Sequence, residues 1–272
     1  LDLVSGEERR IGTSAQYGGP YSSWSPSGTK VANDLGDTID VTTVATGARA
    51  RLDAPRCSEP VWAPDETTLA CEYNEPWIIS TLDIGTGDTR GLTDPSVVSE
   101  APAWSPDSQS IAYLAQGLMV MGRDGSGKHR VADAADHQRP AWSPDGDRIA
   151  YLSDGSVWIV NAAGGDRRVL LDGGGGASRG LTWSPDGRSI AVTHGDGDFE
   201  IFLIDVATGE ARNLTDNTGV NDEGPVWSPD SRHVAYLTDD EDGLGAHVVA
   251  VDGGEPRRIS DAVAILHWSP TG

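Results

Sequence analysis

The chain has 272 residues, a formal net charge of -22 at pH 7, 34 Gly, 16 Pro and only two Cys. No run of 18 or more apolar residues is present, so we expect no membrane insertion of this segment, and its start shows no signal-peptide pattern. An acidic surface repels phosphate groups, so nucleic acid is not an expected partner. Two Cys exclude a disulfide-dense scaffold and a four-Cys zinc site.

One short motif recurs seven times along the chain, each time starting with a tryptophan followed by Ser-Pro or Ala-Pro. The spacing between successive tryptophans is 38 to 44 residues, the range typical of propeller blades. These tryptophans are Trp24, Trp62, Trp104, Trp142, Trp183, Trp227 and Trp268.

Each repeat predicts the same four elements in chain order. A short strand ends in the tryptophan, as at 225–227, and Ser-Pro-Asp-Gly follows as a type I turn. An alternating second strand comes next, as at 189–192, and then an aliphatic third strand, as at 200–204. A Gly-bearing hairpin leads to a fourth, Arg-containing strand, as at 208–214, which leaves no room for a helix. The turn aspartates and the repeat tryptophans are predicted to be structural.

Counting these strands predicts an all-β fold, a seven-bladed β-propeller of four-stranded antiparallel blades in one domain, 1–272. First and fourth strands number seven, but second strands number six, so the seventh blade is expected to be incomplete. It would be shared by 1–14 and 263–272, which would close the ring and avoid unpaired edges. Blades one to six are predicted at about 20–57, 58–99, 100–138, 139–179, 180–223 and 224–262.

The repeat resembles that of TolB-type, WD40-like propeller proteins. The segments that carry the resemblance are Glu-Ile-Phe-Leu-Ile-Asp at 200–205, Asn-Leu-Thr-Asp at 213–216, and Asp-Glu-Gly-Pro-Val-Trp-Ser-Pro-Asp at 222–230. The resemblance covers essentially the whole chain and implies fold more strongly than function. Proteins with this repeat include periplasmic protein-binding propellers, regulatory propellers of prolyl-oligopeptidase-like peptidases and some polysaccharide lyases.

The positions four and five residues before each tryptophan differ most between blades. We expect them on the loops that enter the first strands, at one mouth of the central channel. They form either a solvated rim or a binding mouth for a peptide or small polar ligand. The polar candidates for this mouth are Glu100, His137, Gln138, Arg179, Asp222 and Glu223.

The sequence offers two kinds of candidate metal site. The lyases imply a metal held by several His in the channel, but the six His here fall at different places in their repeats, which argues against that site. Two acidic loops between second and third strands offer oxygen ligands for calcium, although neither has EF-hand spacing and both could be solvated loops. The calcium candidates are Asp196, Asp198, Glu200, Asp239, Asp240 and Asp242.

Two further patterns concern chemistry. Gly176-Ala-Ser-Arg-Gly180 fits the nucleophile-elbow pattern, but no helix follows it and chance explains such a match in a Gly-rich chain. Cys57 and Cys71 flank one hairpin and lie nearly opposite in the predicted register, so they form either a disulfide or two free thiols. A disulfide would indicate an oxidising compartment.

These observations predict a non-catalytic binding module outside the cytoplasm, with no resident cofactor except possible Ca²⁺. Its expected partner is a protein segment or peptide docked at the mouth. One alternative is an accessory propeller of a larger enzyme such as a prolyl-oligopeptidase-like peptidase. Others are a metal-dependent lyase or lactonase, and a membrane-tethered sensor domain.

Overall fold

A computed structural model describes residues 22–54, 57–73, 75–133, 136–217, 219–240, 243–261 and 268, and every structural statement below refers to these residues. They form 24 β-strands. In this part of the chain we find no helix with the length and apolarity that a membrane crossing needs.

Each group of four consecutive strands forms one antiparallel meander. The first three groups are β1 (Ser22–Trp24), β2 (Lys30–Asp34), β3 (Thr38–Thr43), β4 (Arg49–Asp53); β5 (Cys57–Trp62), β6 (Thr68–Tyr73), β7 (Ile78–Asp83), β8 (Thr89–Gly91); and β9 (Glu100–Trp104), β10 (Ser110–Ala115), β11 (Gly117–Gly122), β12 (His129–Ala132). The other three are β13 (Ala141–Trp142), β14 (Arg148–Ser153), β15 (Ser156–Asn161), β16 (Arg168–Leu171); β17 (Ala177–Trp183), β18 (Ser189–Gly195), β19 (Phe199–Asp205), β20 (Ala211–Asn213); and β21 (Asn221–Trp227), β22 (His233–Asp240), β23 (Gly243–Ala250), β24 (Arg257–Ser260).

The fold is therefore an all-β propeller of four-stranded antiparallel blades, as predicted, but the described residues form six blades and not seven. The prediction counted seven first strands and seven fourth strands and expected an incomplete seventh blade, whereas the described strands pair into six complete sets of four. The segments assigned to that blade, 1–14 and 263–272, lie outside the described residues except for Trp268.

The chain divides into two compact units. The first unit is Arg10–Trp142, and the second unit is Ser143–Gly272 with Leu1–Arg9. The division falls in the turn after β13.

The repeat tryptophans join neighbouring blades. In five of the repeats the indole N–H donates to the carbonyl of the residue directly before the preceding repeat's tryptophan, at 3.0 to 3.2 Å. Trp268 makes this bond to Val226, so the seventh repeat tryptophan follows the same pattern as the others. Within the first unit the bonds are Trp62 to Ser23, Trp104 to Val61 and Trp142 to Ala103, and within the second unit Trp227 bonds Thr182.

The turn after each tryptophan is built by its own side chains. The Ser105 hydroxyl donates to Asp107 at 2.6 Å, and the Ser143 hydroxyl donates to Asp145 at 2.5 Å. Gly146 closes the second of these turns with a φ of 77°, a conformation that favours glycine. The turn aspartates therefore have the structural role that was predicted for them.

The candidate functional residues lie at the end of each blade opposite to the turn after the tryptophan. There the first strand begins, and there the second strand turns into the third. We call it the mouth end of a blade. In the second unit it is crowded by glycine backbone: a Cβ on Gly155, in the turn between β14 and β15, would lie 2.4 Å from the Gly176 carbonyl oxygen. Residues 173–176 are called the glycine loop below.

Candidate functional site

A β-bulge interrupts four of the first strands three residues before the tryptophan. The residues at this position are Glu59, Ala101, Gly180 and Gly224, with φ between 48° and 64°. The pairing with the second strand shifts there in each blade. A bulge twists a strand and changes the direction of its side chains. The residue just before each bulge is therefore presented differently from the alternating residues of a regular strand.

The bulge corrects one prediction. Glu100, Arg179, Asp222 and Glu223 were expected on loops, but they lie in strands β9, β17 and β21, which continue past the bulge. His137 and Gln138 do precede their strand, β13, without regular structure.

In the first unit the structure brings Glu100 and His137 together. His137 Nδ1 contacts Glu100 Oε1 across 37 residues of sequence, and the imidazole is 89% exposed. Gln138 is exposed beside it. The pair thus joins a partly exposed carboxylate at the start of β9 to a largely exposed imidazole that precedes β13.

A buried carboxylate that the sequence reasoning missed lies behind this pair. Glu72 of β6 is 8% exposed, and its Oε1 accepts the Ala101 backbone N–H of the β9 bulge at 2.7 Å. Burial raises the pKa of Glu72, and the charges of Glu59 and Glu100 raise it further. Arg139 reaches Glu59 at 3.1 Å. The signal available was a Glu at a buried position of the apolar strand 68–73.

In the second unit the structure brings Arg179 and Glu223 together. Arg179 Nη2 lies 2.9 Å from Glu223 Oε1, and the two side chains are 40% and 41% exposed. The guanidinium also lies over the Phe199 ring, 3.8 Å from its centroid. This stacking fixes the plane of the guanidinium, so one face of a partly exposed cation is held in place. Phe199 was not predicted to take part.

Asp222, next to Glu223, does not face solvent. It is fully buried and accepts the Thr238 hydroxyl at 2.7 Å and the Asn217 side-chain amide at 2.8 Å. These bonds tie the start of β21 to β22 and to the preceding segment. Asp222 therefore supports the mouth end of its blade and does not line its surface.

The acidic loops are only partly as expected. Asp196 and Asp198 connect β18 to β19, but Glu200 is a buried residue of β19 that accepts the Thr215 hydroxyl and the Asn217 N–H. Burial raises the pKa of Glu200, and Asp222 adds to the effect. Asp239 and Asp240 end β22, and Asp242 lies outside the described residues. Among the described residues no three His, Cys, Asp or Glu side chains are grouped to hold a metal, and calcium binding stays a prediction.

Ser178 of the discounted elbow pattern lies in strand β17, where its hydroxyl donates to the Gly155 carbonyl at 2.6 Å. His194 Nδ1 is 2.9 Å from the Ser178 Oγ, and burial lowers the pKa of this imidazole. Because a hydroxyl has one proton and a carbonyl can only accept, the imidazole N–H is the donor to Ser178. The arrangement holds two blades together and does not activate a nucleophile.

Cys57 and Cys71 form a disulfide in the first unit, with Cα atoms 5.1 Å apart. Cys57 pairs in register with Tyr73, so the two cysteines are offset by two positions and not directly opposite. The disulfide spans the bulged part of β5 and ties the start of that strand to β6.

Comparison with known proteins agrees with this architecture. A family model described as the TolB beta propeller domain matches residues 114–272, more than half of the chain. No curated protein sequence matches the chain significantly.

Solved structures share the fold at low sequence identity. TolB from Acinetobacter baumannii is 21% identical with a TM-score of 0.62, covering 84% of this chain and 62% of its own. An oligogalacturonate lyase in complex with manganese is 16% identical with a TM-score of 0.68, covering 85% of this chain and 76% of its own. A puromycin-hydrolyzing peptidase of Mycobacterium tuberculosis is 14% identical with a TM-score of 0.68, covering 86% of this chain and 45% of its own. At these identities the likeness shows the fold alone.

Proposed function

Since the chain belongs to the TolB beta propeller domain family, we propose that it is a non-catalytic binding module that works outside the cytoplasm and docks a segment of a partner protein at the mouth ends of its blades. The same fold occurs in a lyase and in a peptidase, so the proposal depends on the side chains of this chain.

The observation that carries the proposal is the Arg179–Glu223 pair. Both side chains are about two-fifths exposed, and the guanidinium is oriented by Phe199 before any partner arrives. Preorganised charged side chains lower the ordering cost of binding, and a flat guanidinium can take up a carboxylate or a backbone carbonyl. Glu100 with His137 offers the opposite charge for a basic group.

The disulfide supports a location outside the cytoplasm. Disulfides persist in oxidising compartments and are rare where thiols are kept reduced. Both cysteines are buried and joined, and no free cysteine is found among the described residues.

The test is affinity capture with the tagged chain from the extracytoplasmic fraction of its source organism, followed by titration of the purified partner. The variant carries Glu100→Ala, Arg179→Ala and Glu223→Ala together. The matched control is Arg188→Ala, which removes an exposed arginine beside the turn that follows Trp183, at the end of the blade away from the mouth end. We expect the triple variant to lose the partner and the control to keep it. Equal affinity of the wild type and the triple variant would refute the proposal.

An accessory propeller of a larger enzyme is the second candidate. The chain covers only 45% of the Mycobacterium tuberculosis peptidase, so in that protein a propeller of this kind is one part of a longer chain. A reading frame that continues into an α/β-hydrolase sequence would favour this candidate.

A further inference from the structure

Large apolar side chains that are exposed concentrate at one place in the first unit. Trp77 is 45% exposed and Val98 is 59% exposed, and both lie at the mouth end, in the turn between β6 and β7 and just before β9. Single exposed apolar residues are common, but an exposed tryptophan beside a second apolar residue is typical of binding surfaces. The other exposed large apolar residues among those described are Leu35, Val169 and Leu244.

A backbone hydrogen bond places the two segments side by side. The Ser99 N–H donates to the Trp77 carbonyl at 3.0 Å, so the residue after Val98 is fixed to the turn that carries Trp77. The segments that carry Trp77 and Val98 are therefore joined by backbone at the mouth end. We call these two residues the apolar pair.

The apolar pair continues directly into carboxylates. Two residues after Val98 comes Glu100, and the next N–H, of Ala101, is bound by Glu72. Glu59 and Glu100 lie close enough to raise the pKa of Glu72 by their charge, and Arg139 is the cation that opposes them. The partly exposed carboxylates of Glu59 and Glu100, with the buried Glu72 behind them, outnumber the Arg139 guanidinium, and the His137 imidazole contacts Glu100. The surface thus joins an apolar area to an acidic one.

We propose that the apolar pair is the anchor of a docking site for a basic segment of a partner protein, in which an aliphatic or aromatic side chain covers Trp77 and Val98 and flanking Lys or Arg side chains face the carboxylates. This inference rests on the proposed function and names the chemistry of the partner. Charge complementarity selects a basic segment, because an acidic one would meet the partly exposed carboxylates of Glu59 and Glu100, which outnumber the single Arg139 guanidinium.

The probe for the test is the peptide acetyl-Lys-Leu-Lys-Leu-Lys-amide, added at low salt. Its binding is monitored by the chemical shift of the Trp77 indole N–H in ¹⁵N NMR spectra of the protein. That signal is assigned by its loss in Trp77→Phe. Comparison peptides replace every Lys by Glu or every Leu by Ser. We expect the Lys-Leu peptide to shift the Trp77 signal and the Glu peptide to leave it unmoved. The Ser peptide should bind more weakly, because it has no side chain to cover the apolar pair.

Three variants complete the test. Trp77→Ser and Val98→Ser should each weaken the binding of the Lys-Leu peptide, the first by about tenfold. The control is Val169→Ser, which changes an exposed apolar residue on β16, the fourth strand of its blade, and should leave the affinity unchanged. All three change exposed side chains, so unchanged urea midpoints are expected. Unchanged affinity in Trp77→Ser, or equal binding of the Glu peptide, would overturn the inference.

The two proposals can fail separately. If the captured partner is lost by the Glu100, Arg179 and Glu223 variant but held by Trp77→Ser, the proposed function stands and the apolar pair is not its anchor. If Trp77→Ser also loses the partner, the anchor is supported.

Discussion

Glu72 offers the sharpest test of how the mouth end of the first unit is built. Its buried carboxylate accepts the Ala101 N–H at 2.7 Å, and this bond holds the bulge that presents Glu100. Glu72→Ala removes the acceptor, whereas Glu72→Gln keeps an oxygen at the same position and removes only the charge. Comparing the two separates the hydrogen bond from the charge.

The expected cost of Glu72→Ala follows from two contributions. A buried N–H left without a partner costs about 1–3 kcal/mol. Loss of the buried side-chain carbons beyond Cβ adds about 1 kcal/mol. The free energy of unfolding should therefore fall by about 2–4 kcal/mol in Glu72→Ala. In Glu72→Gln it should change by less than about 1 kcal/mol, because the neutral amide avoids the desolvation of a buried charge.

Urea unfolding followed by tryptophan fluorescence measures both variants against the wild type. A second readout is the Glu100→Ala loss of partner affinity, which should be matched by Glu72→Ala but not by Glu72→Gln, since only the former releases the bulge. The reasoning is refuted if Glu72→Gln is as destabilised as Glu72→Ala, or if neither variant differs from the wild type.

The difference in stability between Glu72→Gln and the wild type should depend on pH in a definite direction. The pKa of Glu72 is raised in the folded state above its usual 4.5, because burial disfavours the carboxylate. The folded state then binds more protons than the unfolded state, so the contribution of Glu72 to stability is present at low pH and lost as pH rises through the raised pKa. Glu72→Gln should gain on the wild type from pH 4.5 upward. A constant difference across that range would contradict this.

Three further predictions concern stability, each measured by urea unfolding. Gly155→Ala should lower the free energy of unfolding by more than about 2 kcal/mol, because its Cβ would lie 2.4 Å from the Gly176 carbonyl oxygen of the glycine loop. The control Gly165→Ala is also at positive φ but has no atom within 4 Å of its Cβ, so it should lower the free energy of unfolding by only about 1 kcal/mol. Equal losses in the two variants would contradict the close contact. Cys57→Ser opens the disulfide and should cost about 3 kcal/mol, a loss that reduction of the wild type should reproduce and Cys57→Ser in reductant should not exceed. The hydrogen bond from Ser143 lowers the pKa of Asp145, so its stabilisation should be lost as pH falls below the usual 3.8, and Asp145→Asn should flatten the acid side of the stability curve.

Much of the fold could be predicted because the repeat states it directly. The tryptophan spacing, the Ser-Pro-Asp turn and the alternating second strand each depend on local chemistry that one sequence displays. The blade count failed for the opposite reason. A blade needs four strands paired in space, and a tryptophan such as Trp268 marks only the first of them, although it makes the same inter-blade bond as the others.

The sequence indicated candidate residues at positions that differ between blades, but it did not indicate which residues they contact. Arg179 and Glu223 come from different blades and are 44 positions apart, and the Phe199 ring under Arg179 comes from a third strand. Pairings of this kind depend on how blades pack, which no spacing in the sequence expresses. Glu200 is a second example of a residue whose surroundings the sequence did not show. Its neighbours in sequence are loop acids, but its carboxylate is buried by the Thr215 segment.

The bulge explains why strand residues were mistaken for loop residues. Gly180 and Gly224 mark it with the residue that tolerates positive φ, yet Glu59 and Ala101 take the same conformation with a Cβ, at a cost of about 1 kcal/mol or more each. A reader of the sequence sees alternation end at the bulge and places a loop there. The strand in fact continues, and the extra residue of the bulge changes the direction in which the side chains before it point. In blade three the Glu72 carboxylate, by bonding the Ala101 N–H, offsets part of that backbone cost. The buried Glu72 and the partly exposed Glu100 are thus positioned by the same bulge, and changing Glu72 should alter how Glu100 binds a partner.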